Sequence, residues 1–228
     1  GVPPSAAGKR RLVDLSHPIH HGLVTYPGLP APEITDHLSR EASAGKYAPG
    51  VTFQIGRISL VANTGTYLDS PWHRWADGPD LAGLALEQLV DLTAVLLRAT
   101  GTGRRGIEVL DLAPLEVRGK AVLLHTGWDQ HFGTPRYAQE APFLSDAGAA
   151  WLVEHGAALV GIDSINIDDM GDAARPAHSR LLRAGIPIVE HLRGLDQLPA
   201  TGFRFSAVPP RIQGLGTFPV RAHAVIDA

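Results

Sequence analysis

The sequence contains no cysteine. A disulfide framework, a thiolate metal site and a cysteine nucleophile are therefore excluded, and any metal ion must be held by His, Asp or Glu. An excess of charge of either sign is also missing, because 20 basic residues against 23 acidic ones leave a formal net charge of -3. That balance offers no electrostatic footprint for nucleic acid or an anionic membrane, so neither is expected as a partner. No apolar run approaches the roughly 20 residues needed to span a bilayer. The first ten residues lack the apolar stretch of a signal peptide, and the cytoplasm is the expected location. There is no Walker loop, no Gly-x-Ser-x-Gly elbow and no internal repeat, which removes the commonest phosphate-binding and serine-hydrolase readings.

What is present is a chain of 228 residues, 44% hydrophobic and 19% charged, enough for one domain with a real core. Residues 1–10 are small, Pro-rich and basic and read as a flexible tail, with the domain spanning 11–228. The apolar runs 93–98, 120–125, 157–162, 186–190, 203–208 and 220–226 read as strands, as do 11–16, 51–55, 58–62 and 107–112. Helices are expected at 84–90, at 145–155 with Ser145 as N-cap and Gly156 beyond the end, and at 177–184 closed by Gly185. The Pro-, Gly- and His-rich stretch from His17 to Pro32 cannot be helical, and its part 20–30 is a candidate lid. The class is α/β with many short strands.

Two motifs fail on context. Gly101-Thr-Gly-Arg-Arg-Gly matches a dinucleotide-binding pattern, but the residues after it alternate and meet Pro114, so no helix N-terminus is offered to a pyrophosphate. It reads as a polar turn. The acidic segment from Asp163 to Asp172 lacks the Gly and Glu positions of a calcium loop and reads as a solvated loop.

The segment Asn63-Thr-Gly-Thr-Tyr-Leu-Asp-Ser-Pro-Trp-His places an amide, a phenol, a carboxylate and an imidazole in eleven positions, with Gly65 and Pro71 constraining the backbone. Here the chain resembles the cyclase family that includes bacterial kynurenine formamidase and isatin hydrolase, whose signature reads His-x-Gly-Thr-His-x-Asp-x-Pro-x-His. Asp14-Leu-Ser-His-Pro-Ile, Tyr26-Pro-Gly, Leu124-His-Thr-Gly-Trp-Asp, Val160-Gly-Ile-Asp-Ser, Ala177-His-Ser-Arg-Leu-Leu and Ile188-Val-Glu-His-Leu look like further family segments in family order. The resemblance implies a swivelling β/β/α domain and a homo-oligomer, dimer or tetramer. It also implies that Asp69, His178 and Glu190 match metal-binding positions, and that His73 matches the proton-transfer histidine. Asn63 and Tyr67 stand where the signature has its two metal-ligand histidines.

That departure leaves three readings. In the first no cofactor is needed: Tyr67 and Asn63 donate hydrogen bonds to a carbonyl oxygen, His73 and Asp69 move protons, and the chain closes a ring or dehydrates a small polyketide-like or natural-product substrate. In the second, Asp69, His178 and Glu190 hold a single Zn or Mn ion, and the chain hydrolyses an amide, ester or lactone as a formamidase does. The third is a non-catalytic ligand-binding relative. Trp72 and Trp75 flank His73 and either wall the substrate pocket or pack elsewhere. Of the eleven histidines, His17, His20, His21, His125, His131 and His191 receive no role from residue type alone.

Overall fold

A run that is apolar at nearly every position belongs to a strand covered on both faces, and four such runs build the centre of this molecule. The computed structural model describes residues 10–227. In chain order the strands are β1 (Arg10–Asp14), β2 (Glu33–Leu38), β3 (Ile55–Ser59), β4 (Tyr67–Asp69), β5 (Leu92–Arg98), β6 (Gly106–Ile107), β7 (Ala121–His125), β8 (Phe143–Leu144), β9 (Leu159–Ile162), β10 (Ile188–Glu190), β11 (Phe203–Ser206), β12 (Thr217–Pro219) and β13 (His223–Asp227). The helices are α1 (Arg40–Ser43), α2 (Val109–Leu112), α3 (Asp146–Glu154) and α4 (Pro176–Arg183). Nine strands form one sheet in the order β1-β13-β11-β5-β7-β9-β10-β4-β12. Strands β5, β7, β9 and β10 are parallel, and every other pairing in this sheet is antiparallel.

Alternation along β7 shows how the two faces are used. Ala121 and Leu123 enter one core with Leu68, Phe203 and Phe205. Val122 and Leu124 enter the other, against Leu112 of α2, Leu152 of α3 and Leu181 of α4. Gly161 of β9 leaves room for the first core, because a Cβ there would lie 2.7 Å from Leu192 Cδ1 and 2.9 Å from Leu123 Cδ2. Helix α3 begins as expected, with the Ser145 hydroxyl accepting from Gly148 N, and α4 ends at Gly185, which takes a φ of +78°.

Three expectations are corrected. Residues 84–90 form only a short 3-10 turn at Leu86–Gln88, because Asp91 at φ 55° stops a segment too short to pay for helix nucleation. In place of a strand at 107–112, Ile107 ends the two-residue β6 and residues 109–112 form α2, whose first turn is secured by Asp111 Oδ2 accepting from Glu108 N at 2.8 Å. The two strands expected at 51–55 and 58–62 are the single strand β3, paired with β2 in a separate two-stranded sheet. This pair is exposed on both faces, so side-chain alternation there carries no burial signal. The tail expected at 1–10 lies outside the described residues except for Arg10, which opens β1. No helix among the described residues is long and apolar enough to cross a membrane.

Candidate functional site

Strand β4 is only three residues long and fully buried, and its register fixes the site. Tyr67 pairs with Glu190 of β10 and Pro219 of β12, while Asp69 pairs with Ile188 and Thr217. Opposed residues share a face of a sheet, as do residues two apart on one strand. Tyr67, Asp69, Glu190 and Thr217 therefore share one face, while Leu68 enters the core on the other.

Helix α4 covers the first face and delivers His178. Its Nε2 lies 3.4 Å from Asp69 Oδ2 and 3.6 Å from Glu190 Oε1. On the other side of the ring, Nδ1 lies 2.8 Å from Asp168 Oδ2. Asp168 also accepts from Ala177 N and His178 N, so one carboxylate both caps α4 and aims the imidazole. Glu190 is fixed by its other oxygen, Oε2, which accepts from Ile167 N at 2.5 Å. Asp168→Asn keeps the shape but places an amide beside Nδ1, and is expected to weaken divalent-metal affinity about 10- to 100-fold. Calorimetric titration with zinc or manganese checks this, and unchanged affinity would remove Asp168 from the site.

His73 approaches from the 3-10 turn Pro71–His73. Asp69 and His73 are not directly hydrogen-bonded: Nδ1 is 3.8 Å from Asp69 Oδ1, and Thr217 bonds to both. The Thr217 hydroxyl donates to Asp69 Oδ1 at 2.5 Å and lies 3.0 Å from His73 Nδ1. A hydroxyl has one proton. Because Thr217 gives it to the carboxylate, its oxygen accepts from His73 Nδ1–H, which leaves Nε2 with a free lone pair. Gly216 makes this approach possible, since a Cβ there would lie 2.7 Å from the backbone N of His73.

A pocket of about 290 Å³ is lined by Tyr26, Leu29, Asn63, Tyr67, His73, Asn166, Arg175, His178 and Glu190. Tyr26 and Leu29 come from the stretch expected to act as a lid. Asn63, Tyr67, His73, His178 and Glu190 are thus brought together, and Asp69 lies beneath them. Neither tryptophan lines this pocket. Trp72 is exposed, and Trp75 borders a separate groove between α3 and α4, where its indole N–H donates to Ser179 O.

The electrostatics suit a cation. Burial alone would lower the pKa of His178, but Glu190, Asp168 and Asp69 raise it well above the usual value. Burial would raise the Asp69 carboxyl, yet His178, His73 and Thr217 more than offset this and hold it below its usual range. Tyr67 stays a neutral phenol, pushed far up by burial and by Glu190 and Asp69, against a smaller opposite contribution from Asn63.

The acidic segment 163–172 corrects the sequence reading most sharply. Residues 163–168 are buried rather than solvated. Asp163 accepts from Thr126 N, Thr126 Oγ1 and Gly127 N, and burial nevertheless raises it to about 7. Asn166 lines the pocket and Asp168 orients His178. Sequence reasoning also missed Thr217, His191, Tyr137 and Arg175. Arg175 has no carboxylate within salt-bridge distance among the described residues, and its left-handed backbone (φ 46°) at the start of α4 was the one local anomaly that marks it.

The carboxylates of Asp69 and Glu190 both face His178 Nε2 at the spacing of neighbouring ligands on one divalent ion. Two ligands on a tetrahedral ion at about 2.0–2.2 Å stand about 3.3–3.6 Å apart, which brackets the 3.4 and 3.6 Å separations measured around His178 Nε2. Asp69 Oδ2 is buried without a hydrogen-bond partner, the state of an atom kept for a cation. Asp69, His178 and one ring nitrogen of His73 also form a compact donor group whose ligand atoms lie within 4.8 Å of one another. A second ion on Asn63 and Tyr67 is not supported, since an amide and a neutral phenol are poor ligands and the Tyr67 oxygen already lies 3.1 Å from His191 Nε2.

The Cyclase family profile, described as "Putative cyclase", matches residues 13–169. A kynurenine formamidase of Bacillus cytotoxicus is 27% identical over 211 residues, covering 92% of this chain and 95% of that protein. A solved structure described as a potential metal-dependent hydrolase with cyclase activity is 25% identical, with a TM-score of 0.79 over 96% of this chain and all of the other. Isatin hydrolase A from Ralstonia solanacearum shares the fold, with a TM-score of 0.81 at 23% identity over 96% of this chain and 92% of its own.

Proposed function

The chain belongs to the cyclase family, and from that premise we propose that it is a hydrolase with a single divalent-metal site, acting on an amide, ester or lactone carbonyl of a small molecule. The observation that supports this best is the orphaned, buried Asp69 Oδ2, 3.4 Å from the imidazole nitrogen that also faces Glu190. Asp69, His178 and Glu190 would hold zinc or manganese. When bound, such an ion polarises a carbonyl and acidifies water.

The chain's own groups supply the rest. His73 Nε2, left with a free lone pair by the Thr217 bond at Nδ1, takes the proton of the attacking water. The Tyr67 hydroxyl and the Asn63 amide donate to the carbonyl oxygen as negative charge grows on it. The protonated His73 then returns its proton to the leaving nitrogen or oxygen as the bond to the carbonyl carbon breaks. Tyr26 and Leu29 give the pocket an apolar wall, and Arg175 gives it a cation that favours a substrate with a carboxylate or carbonyl tail. A cavity of about 290 Å³ suits a compact molecule rather than an extended chain.

The metal-free ring-closing reading uses the same donors and the same base, and differs in leaving Asp69 Oδ2 only the long ion pair with His178 Nε2 at 3.4 Å. A screen of N-formyl amides, lactones and aryl esters with metal-loaded protein tests the proposal. Hydrolysis that disappears with chelator and returns with zinc or manganese is the expected result. Turnover indifferent to chelator would overturn it and favour metal-free acid–base chemistry.

A further inference from the structure

His191 follows Glu190 directly, is fully buried, and takes no part in the chemistry above. Its Nδ1 lies 2.9 Å from the Tyr137 hydroxyl and its Nε2 lies 3.1 Å from the Tyr67 hydroxyl. We propose that Tyr137 and His191 are positioning residues for Tyr67, forming a buried chain of hydrogen bonds that turns the Tyr67 O–H into the pocket and keeps it available to a developing oxyanion. The proposal rests on the reading of Tyr67 as that donor.

Proton counting carries the argument. Two phenols and one neutral imidazole bring three protons to a chain with two links, so one proton is left at one end. If the chain runs from Tyr137 to Tyr67, the free O–H is that of Tyr67. If it runs the other way, Tyr67 spends its proton on His191 and the free O–H is that of Tyr137. The surroundings select the first direction. Among the described residues each hydroxyl has one hydrogen-bond partner, a nitrogen of His191, but Tyr67 opens onto the pocket with Asn63, Asn166 and Glu190, where an O–H finds acceptors, whereas the cavity beside Tyr137 is lined mainly by Val24, Pro27, Pro135, Ala138 and Ile165. A buried donor without an acceptor is costly, whereas a phenol oxygen tolerates an unused lone pair better. Tyr137 therefore donates to Nδ1, His191 carries its proton on Nε2 and gives it to the Tyr67 oxygen, and Tyr67 O–H remains for the pocket.

The ring is held so that this pattern is the one available. The backbone of His191 sits at φ 59°, a left-handed conformation that a residue with a side chain rarely adopts. It is fixed there by His191 N donating to Ser164 O at 3.2 Å and by the Thr66 hydroxyl donating to His191 O at 2.7 Å. Phe132 stands edge-on to both His191 and Tyr137, and closes the chain off from solvent together with His17, which stacks on it at 3.6 Å. Both ring nitrogens face phenol oxygens rather than carboxylates, and the ring is fully buried, so among the described residues no counter-ion stands beside it for an imidazolium. A linked chain polarises each successive donor, so the outward Tyr67 O–H is a stronger one than an isolated phenol.

The test uses the full chain labelled with nitrogen-15 at histidine. The imidazole spectrum of wild-type protein at neutral pH is expected to show His191 protonated at Nε2 and bare at Nδ1, assigned by its loss in His191→Gln. Protonation at Nδ1 alone, or at both nitrogens, would overturn the proposal, and neither outcome depends on the reaction assigned above. Where an active substrate is in hand, a double-mutant cycle adds a second check. Tyr67→Phe is expected to lower kcat about 100-fold, as for one oxyanion donor. His191→Gln is expected to lower kcat about tenfold with KM and bound metal unchanged, and to cost nothing further in the Tyr67→Phe background. An equal His191→Gln loss in both backgrounds would mean a purely structural role. If His191→Gln does not fold, the isosteric Tyr137→Phe takes its place in the cycle and in the spectrum.

Discussion

Asp69→Asn is expected to remove metal binding and hydrolysis together while leaving the fold intact. The substitution is isosteric, and the amide oxygen can still accept from the Thr217 hydroxyl, so the tie between β4 and β12 survives. What changes is the atom facing His178 Nε2. Oδ2 is a buried anion without a hydrogen-bond partner in the wild type, and in the variant it becomes a neutral group that is a poor ligand. Outer-sphere partners of a metal cost about 10- to 100-fold in affinity when mutated, and a direct ligand should exceed that range. Equilibrium dialysis against zinc, read beside circular dichroism, separates loss of the ion from loss of structure. Metal affinity within tenfold of wild type would show that Asp69 is not a ligand.

His73→Ala is expected to behave in the opposite way. Turnover should fall about 10²- to 10⁴-fold, the range for loss of a positioned acid or base, while bound metal stays at its wild-type level. The split follows from Thr217, which ties His73 Nδ1 and leaves Nε2 directed at the pocket as a base. His73 belongs to the same compact donor group as Asp69 and His178, so metal content decides between base and ligand. A variant that loses its metal with its activity would reassign His73 to the ion.

Much of the architecture was legible because the centre of the sheet is buried on both faces, and unbroken apolar runs such as Ala121–Leu124 have few other fates. The pair β2 and β3 was not, because a ribbon exposed on both faces imposes no alternation. At the site, Asn63, Tyr67, Asp69 and His73 lie within one turn-punctuated segment and could be read as a unit. His178 and Glu190 could be placed only through the family resemblance, since residues on a helix and a neighbouring strand meet only once the sheet has formed. Their supporting groups show the limit of linear reading. Asp168 lies in a stretch whose acidic composition signals solvent, yet its carboxylate is used up by two backbone N–H groups and an imidazole. Thr217 reaches Asp69 across 148 positions of sequence by register alone. Tyr137 and His191 come together in the same way, from a 3-10 turn and the end of a strand.

Asn63 and Tyr67, which stand where the resembling signature has two histidines, are placed by this geometry as hydrogen-bonding groups. The Tyr67 oxygen is held by His191 and the phenol is far too buried to ionise, so this side of Asp69 supplies hydrogen-bond donors where imidazole ligands would stand. His178 and Glu190 meet beside Asp69, with the imidazole oriented by Asp168. On the proposed reading, one ion beside two hydrogen-bond donors would make a coherent hydrolytic arrangement around the buried Asp69 carboxylate.

The most direct measurement is elemental analysis of wild-type protein and Asp69→Asn, each stripped with chelator, reloaded with zinc or manganese and dialysed free of unbound ion. The account predicts one divalent ion per wild-type chain and none in the variant. Wild-type protein that cannot be reloaded, or that retains two ions per chain, would contradict it.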